Sequence, residues 1–438
     1  MNKTINVIGA GLAGCEAAYQ IAKRGINVKL YEMKPQKYSP AHHSENFAEL
    51  VCSNSLRSDQ LENAVGLLKE ELRTMNSLIL RAADATRVPA GGALAVDREG
   101  FSQYVTQAIK EIENIKIIYT EQDSIPDDNI TIIATGPLTS EPMFNYIEKI
   151  IGDEYLHFFD AAAPIVTFDS INMDKAFKAA RYGKGTEDYI NCPMSREEYE
   201  VFYNELVNAE LAEVKHFEKN MVFEGCMPIE SMAQRGKDTM RFGPLKPVGL
   251  MDTRTNIKPF AVVQLRQDNQ NGTLFNIVGF QTHLKWPEQK RVFRLIPGLE
   301  NAEFVRYGVM HRNTYINSPR LLDNTYKLKG EYSIYFAGQI TGVEGYIEST
   351  ASGFVAGLNA VAECLNEEKI TFPATTAIGA LSNYISDSSV KNFQPMNANF
   401  GLFSNINTSI RDKKKRNYEI AQSSLETIRN VCKNVRCF

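Results

Sequence analysis

Residues 5–14 read Ile5-Asn6-Val7-Ile8-Gly9-Ala10-Gly11-Leu12-Ala13-Gly14, and this stretch decides the fold. A short apolar run suited to a buried strand passes straight into three glycines at GxGxxG spacing. Each glycine has its own mechanical task. Gly9 permits a tight turn, Gly11 lets backbone approach a pyrophosphate, and Gly14 lets the next helix pack closely on the strand. A helix is predicted from Cys15 to Arg24, and its start offers unpaired N–H groups and a partial positive charge to phosphates. A second strand, Val28-Lys29-Leu30-Tyr31, ends in Glu32, 18 residues after Gly14. That is close to the spacing of about 20 at which an acid accepts from ribose hydroxyls. The opening therefore predicts a βαβ unit that binds a dinucleotide.

Later segments extend the same pattern. The run Ile130–Ile133 ends at Ala134-Thr135-Gly136, and a strand at Tyr332–Phe336 leads through Ala337-Gly338-Gln339 into a small-residue helix, Ile347–Leu365. Both strand-and-glycine turns can return to the cofactor of the opening motif. No second GxGxxG exists, since Gly183-Lys184-Gly185 lacks the third glycine, so the dinucleotide is expected to be FAD rather than a separately housed nicotinamide nucleotide. Between about 160 and 325 the pattern shifts to short β-type runs (Pro164–Phe168, Phe260–Leu265, Leu274–Phe280) and a helix from Ser195 to about Lys215. The predicted class is α/β: a discontinuous Rossmann-like FAD-binding domain, 1–160 with 325–438, interrupted by an inserted α+β domain, 161–324. Met33 to Ser58 has few periodic apolar positions and reads as a long ordered loop. Helices are predicted at Gln60–Met75, Gly100–Glu113 and Ser424–Cys432, and a strand at Lys116–Tyr119.

Composition fits this class. The 438 residues are 43% hydrophobic and 23% charged, which argues against disorder or a fibrous repeat. No run of about 18 apolar residues and no signal-peptide pattern occurs, so no membrane association and a cytoplasmic location are expected. Seven cysteines without a CxxC pair argue against a zinc site or a disulfide framework, and no metal is expected. The net charge of −4 conceals three basic windows. Met232–Lys258 has six basic and two acidic side chains, Lys285–Arg320 seven and three, and Thr408–Phe438 eight and three. Such patches suit a polyanion in spite of the acidic total, although an ordinary solvated face has the same composition.

Two cysteines stand in polar, glycine- or arginine-bearing contexts: Cys52 in Phe47-Ala48-Glu49-Leu50-Val51-Cys52-Ser53-Asn54-Ser55-Leu56-Arg57-Ser58, and Cys226 in Phe223-Glu224-Gly225-Cys226-Met227-Pro228-Ile229-Glu230. A partly exposed thiol near a cation is a candidate nucleophile, while a buried structural thiol is the commoner fate of free cysteine. Cys15, on the first helix, reads as packing.

Long stretches of the chain resemble one family: PAHHSENFAELVCSNSLRS (40–58), VPAGGALAVDREGF (88–101), IIATGPLTSE (132–141), FEGCMPIE (223–230), AVVQLRQD (261–268), NIVGFQTHLKWPEQK (276–290), RYGVMHRNTYINSP (306–319) and FAGQITGVEGYIES (336–349). The sequence is similar to the folate- and FAD-dependent RNA (uracil-5-)-methyltransferases of the TrmFO (Gid) type over essentially its whole length. The resemblance implies methylation of carbon 5 of a uridine in structured RNA. Methylenetetrahydrofolate would supply the carbon, and NADPH or NADH would reduce the FAD. Cys226 matches the thiol that adds to carbon 6 of uridine, and Cys52 the thiol beside the flavin. Gly9, Ala10, Gly11, Leu12, Ala13, Gly14, Glu32, Gly136, Gly338 and Gln339 match the FAD contacts. His283 and Tyr346 are the folate candidates. Arg241, Lys246, Arg312, Lys413, Lys414, Lys415 and Arg416 are the candidates for RNA phosphates. The T-loop of tRNA is the expected target, ahead of a uridine in 23S ribosomal RNA. A small-molecule flavin oxidoreductase, or a flavoprotein that only binds RNA, are the other readings. No protein partner is expected.

Overall fold

The computed structural model describes all residues except 1–2, 127–128, 153–154, 162, 184–185, 213–226, 309, 331, 391–392, 405–409 and 435–438. A five-stranded parallel sheet runs in the order Ile334–Phe336, Thr131–Ile133, Thr4–Ile8, Asn27–Glu32, Ile115–Tyr119. The first strand of the chain lies at its centre, where both faces are covered, and this is why Ile5, Val7 and Ile8 form a nearly unbroken apolar run. The strand order reverses between Thr4–Ile8 and Thr131–Ile133. In open α/β sheets such a switch point opens a crevice at the carboxyl ends of the strands.

Two helices fix the geometry above that crevice. Leu12–Lys23 starts directly after the glycine turn and packs against Tyr346–Leu365. Small residues let the backbones touch: a Cβ on Gly353 would stand 2.2 Å from the Ala13 carbonyl oxygen, and one on Gly357 3.0 Å from Ala17. The contact sets the amino end of the late helix, with Tyr346 and Ser349, over the opening turn.

A separate antiparallel sheet of six strands has the order Phe177–Lys178, Tyr189–Met194, Ala261–Gln267, Leu274–Ile277, Ile165–Thr167, Phe304–Arg306. Its inward side chains, among them Ile190, Met194, Val263, Leu265 and Ile277, build a second core with Tyr199 and Phe202 of helix Arg196–Val207. The first core draws instead on residues between 5 and 151 and between 315 and 432. The chain passes from one to the other along a two-stranded antiparallel ribbon, Tyr155–Ala161 with Met310–Ile316. The expected class, a Rossmann-like α/β fold with an inserted α+β unit, is the one observed.

Several local expectations change. Met33–Ser58 does not end as loop: Ser55–Ser58 pairs with Ala93–Val96, which also holds Arg87–Val88. Period-two alternation over four residues is too short to stand out against a polar stretch. Helix Gln60–Met75 begins later, at Ala64, and the C-terminal helix is longer, Lys413–Asn434. Helix Ser195–Lys215 ends at Val207, with Ser195 as a capping box partner of Glu198.

Glu71 ties three helices of the first core together. Its buried carboxylate accepts from the backbone N–H groups of Ala377 (2.7 Å) and Ile378 (2.9 Å) and from the Ser424 hydroxyl (2.5 Å). Burial nevertheless pushes its pKa up to about 7. This lies above the unfolded value of about 4.3, so between the two the folded chain holds more protons than the unfolded one. The stability of the wild type is therefore expected to decline relative to Glu71→Gln as pH rises from about 4.3 to about 7. Denaturant midpoints of both proteins across that range check this, and a constant difference would refute it.

Candidate active site

The crevice at the switch point is a cleft enclosing about 1140 Å³, part of it open to solvent. Ile8 to Ala13, Glu32, Ala134 to Leu138, Gly338, Gln339, Tyr346 and Ser349 are among the residues that line it. The three opening glycines divide their work as their spacing implies. Gly9 has φ +101°, and a Cβ there would lie 2.6 Å from the Ala134 carbonyl oxygen. Gly14 does not line the cleft; a Cβ on it would stand 1.8 Å from the Gly9 carbonyl oxygen. Gly11 is different. It precedes helix Leu12–Lys23 in extended backbone (φ −74°), and nothing lies within 4 Å of where its Cβ would be. The Cβ direction of Gly136 is likewise empty.

Glu32 closes the other side of the turn. Its Oε2 accepts from Ala10 N–H (2.8 Å) and its Oε1 from Lys34 N–H (3.0 Å). Those bonds aim the carboxylate, and each oxygen keeps a lone pair for a ribose hydroxyl. The late turn is held too, by Gly338 N–H donating to Ser352 Oγ (2.7 Å) and Gln339 Nε2 to Glu344 Oε2 (2.6 Å). An open cradle at a helix start, with an acid at the second strand, fits an adenine dinucleotide such as FAD.

Cys52 sits half-buried in a loop that borders the cleft through Val51. The Tyr346 hydroxyl oxygen accepts from Cys52 N–H (2.8 Å) and from Ser53 N–H (3.3 Å). Burial, then the nearby Cys52, pushes the Tyr346 phenol up, so it stays neutral. Tyr346 thus holds the Cys52 loop as well as lining the cleft. Cys15 is fully buried, donates to the Ala10 carbonyl (3.3 Å), and its thiol is pushed up by burial. Cys226 lies outside the described residues.

Residues 4–368 match the family model described as glucose inhibited division protein A. A protein of Acetivibrio thermocellus named methylenetetrahydrofolate–tRNA-(uracil-5-)-methyltransferase TrmFO is 70% identical over 425 residues, 97% of this chain and 98% of that one. The chain belongs to the glucose inhibited division protein A family, TrmFO type. A Bacillus licheniformis protein of the same name is 60% identical over 435 residues, covering 99% of this chain and all of that one. The solved structure of Aquifex aeolicus GidA shares the fold, with a TM-score of 0.73 at 16% identity over the whole of this chain and 74% of that one.

In this TrmFO-type chain the remaining sequence candidates are dispersed. His283 is in the inserted unit, outside the cleft lining, with its N–H and Nδ1 on Glu230 Oε1 (2.8 and 3.3 Å). Its Nε2 is buried with no partner among the described residues. Arg241 lies over the Phe260 ring at 3.6 Å, donates to the Phe260 carbonyl and pairs with Asp238 at 2.6 Å, so its charge is largely taken up internally. Lys413, Lys414 and Lys415 are exposed at the start of their helix, Lys414 pairing with Glu62 at 2.9 Å. Arg416 is less open, its Nε buried without a partner among the described residues. Lys246 is half-buried, and the Arg312 side chain lies outside the described residues.

Two further polar residues, Lys34 and His42, line the cleft outside the catalytic and cofactor candidates. Lys34 is 4% exposed and donates to the carbonyls of Ser44 (3.1 Å) and Asn46 (2.5 Å). His42, beside Ser39 Oγ at 2.5 Å, also lines the cleft. The resemblance carried His42 in PAHHSENFAELVC, whereas Lys34 precedes that motif, and no spacing rule singles out either.

Proposed function

We propose that this protein methylates carbon 5 of a uridine in tRNA, with methylenetetrahydrofolate as carbon donor and NADPH or NADH as reductant. The observation that carries this reading is the near full-length identity to relatives of that name, together with a cleft open at Gly11. The discontinuous unit 1–160 with 325–438 would hold FAD through Gly9 to Ala13, Glu32, Gly136, Gly338 and Gln339, with Gly14 packing the helix behind the turn. The inserted unit 161–324 would carry Cys226 and contribute RNA and folate contacts, with His283 and Tyr346 as folate candidates. When bound, FAD supplies the relay of the one-carbon unit and the two electrons that turn methylene into methyl.

The chain's own groups do the rest. A uridine must leave its stack before a thiol can reach it. The Cys226 thiolate then adds to carbon 6, which makes carbon 5 nucleophilic toward the methylene. After the new C–C bond forms, loss of the carbon 5 proton and expulsion of the thiolate restore the ring. Cys52 is the thiol assigned to the transfer of the one-carbon unit. Lys413 to Arg416, Lys246 and Arg312 are assigned to phosphates, which position RNA without reading its sequence.

Mass spectrometry of RNA nucleosides from cells lacking the gene tests the target. The expected result is loss of 5-methyluridine from tRNA and its return on complementation. Loss confined to ribosomal RNA would transfer the same chemistry to that substrate, and no loss in either would refute the reading.

A further inference from the structure

The loop Leu50–Asn54 is clamped by three arginines that come from three different elements. Arg98, the first residue of helix Arg98–Lys110, donates to the Leu50 carbonyl and pairs with Asp268 at 3.0 and 3.2 Å. Arg306, at the end of strand Phe304–Arg306, donates to the Val51 carbonyl. Arg266, in strand Ala261–Gln267, donates to Ser53 Oγ (2.7 Å) and to Asn54 Oδ1 (3.2 and 3.3 Å). Asn54 in turn donates to the carbonyls of Val96 (2.9 Å) and Gln267 (3.0 Å). Cys52 therefore follows two backbone carbonyls held by guanidinium groups and precedes two side-chain oxygens held by a third, with its own N–H on Tyr346.

The charges do not balance. Among the described residues around this loop, three guanidinium groups face one carboxylate, Asp268, and Arg266 is only 7% exposed. Its hydrogen-bond acceptors, Ser53 and Asn54, are neutral. Burial works against the charge of Arg266 and Arg306, but a guanidinium stays protonated in a protein. A buried cation without a counter-ion is costly. The titratable groups that face the cluster are Asp268, Tyr346, Tyr189 and Cys52, and Cys52 interacts electrostatically with all three arginines. Tyr346 is kept neutral by burial, which leaves the Cys52 sulfur as the partner able to supply negative charge.

We propose that Arg98, Arg266 and Arg306 are positioning residues that clamp the Cys52 loop and hold its sulfur as a thiolate at neutral pH. Two of the three come from the sheet of the second core, so docking of that unit completes the electrostatic surroundings of the thiol. The part this plays in catalysis rests on the reading of Cys52 given above, but the ionisation itself does not.

The test is a pH titration of the flavin-bound protein. It follows thiolate ultraviolet absorbance, as the difference from Cys52→Ala, and the alkylation rate of the Cys52 peptide by iodoacetamide. The wild-type midpoint is expected below the value of about 8.5 for an ordinary free cysteine. Arg306→Gln and Arg266→Gln should raise it by about one pH unit or more, and Arg306→Lys should restore most of the shift. Retained flavin shows that each variant is folded. A wild-type midpoint at or above about 8.5 overturns the inference even if no variant folds. An unchanged midpoint in either flavin-bound glutamine variant overturns it as well. Absence of methyl transfer from folate, with the titration as expected, would refute the proposed function and leave this inference standing.

Discussion

Gly11→Val is expected to give a folded protein that has lost its flavin. Nothing lies within 4 Å of the Gly11 Cβ direction and the backbone there is extended, so an added Cβ meets no protein atom. It enters instead the space in which a pyrophosphate would approach the helix start. The dissociation constant for FAD should rise by at least about tenfold, equivalent to about 1.4 kcal/mol or more of binding free energy, and flavin absorbance after gel filtration should fall with it. Thermal unfolding should stay within a few degrees of the flavin-free wild type. Gly14→Ala is the contrast: its Cβ would stand 1.8 Å from the Gly9 carbonyl oxygen, so the damage falls on the fold. Overpacking of that kind costs about 1–3 kcal/mol, occasionally more. Full flavin occupancy in Gly11→Val would remove the phosphate from the glycine turn.

The second large effect concerns the two thiols. RNA containing 5-fluorouridine at the target position is expected to trap a covalent complex, because fluorine at carbon 5 cannot leave as a proton does. Cys226→Ala should abolish the trapped species while leaving flavin content and its reduction by NADPH intact. Cys52→Ala should still bind RNA but fail to pass on the one-carbon unit, with methylation lower by about six orders of magnitude, the scale of losing a covalent catalyst. Peptide mapping of the adduct decides between them. An adduct on Cys52, with Cys226 unmodified, would exchange the two roles.

Much of the fold was legible because its signals are local. The βαβ opening is specified by three glycines whose separate steric tasks lie within six residues, and the structure gives two of them to packing and one to the open cleft. The late turn at Gly338 and the helix behind it were readable for the same reason. What escaped is long-range. Nothing in VDREGF, QLRQD or RYGV shows that Arg98, Arg266 and Arg306 converge on one loop, since their separation in sequence exceeds 200 residues from first to last. Tyr346 stood out in the sequence as a folate candidate, but its hydrogen bonds to a loop nearly 300 residues away were not legible there. Arg241 shows the converse: a basic residue in a basic window whose charge an acid and an aromatic ring take up locally.

The most direct test of the central claim is the origin of the methyl carbon. The purified, flavin-bound protein would be given unmodified tRNA, NADPH and methylenetetrahydrofolate labelled in its one-carbon unit, with unlabelled S-adenosylmethionine present. The account predicts label at carbon 5 of uridine, dependent on the folate and indifferent to S-adenosylmethionine. Unlabelled 5-methyluridine formed at the same rate without folate would contradict it.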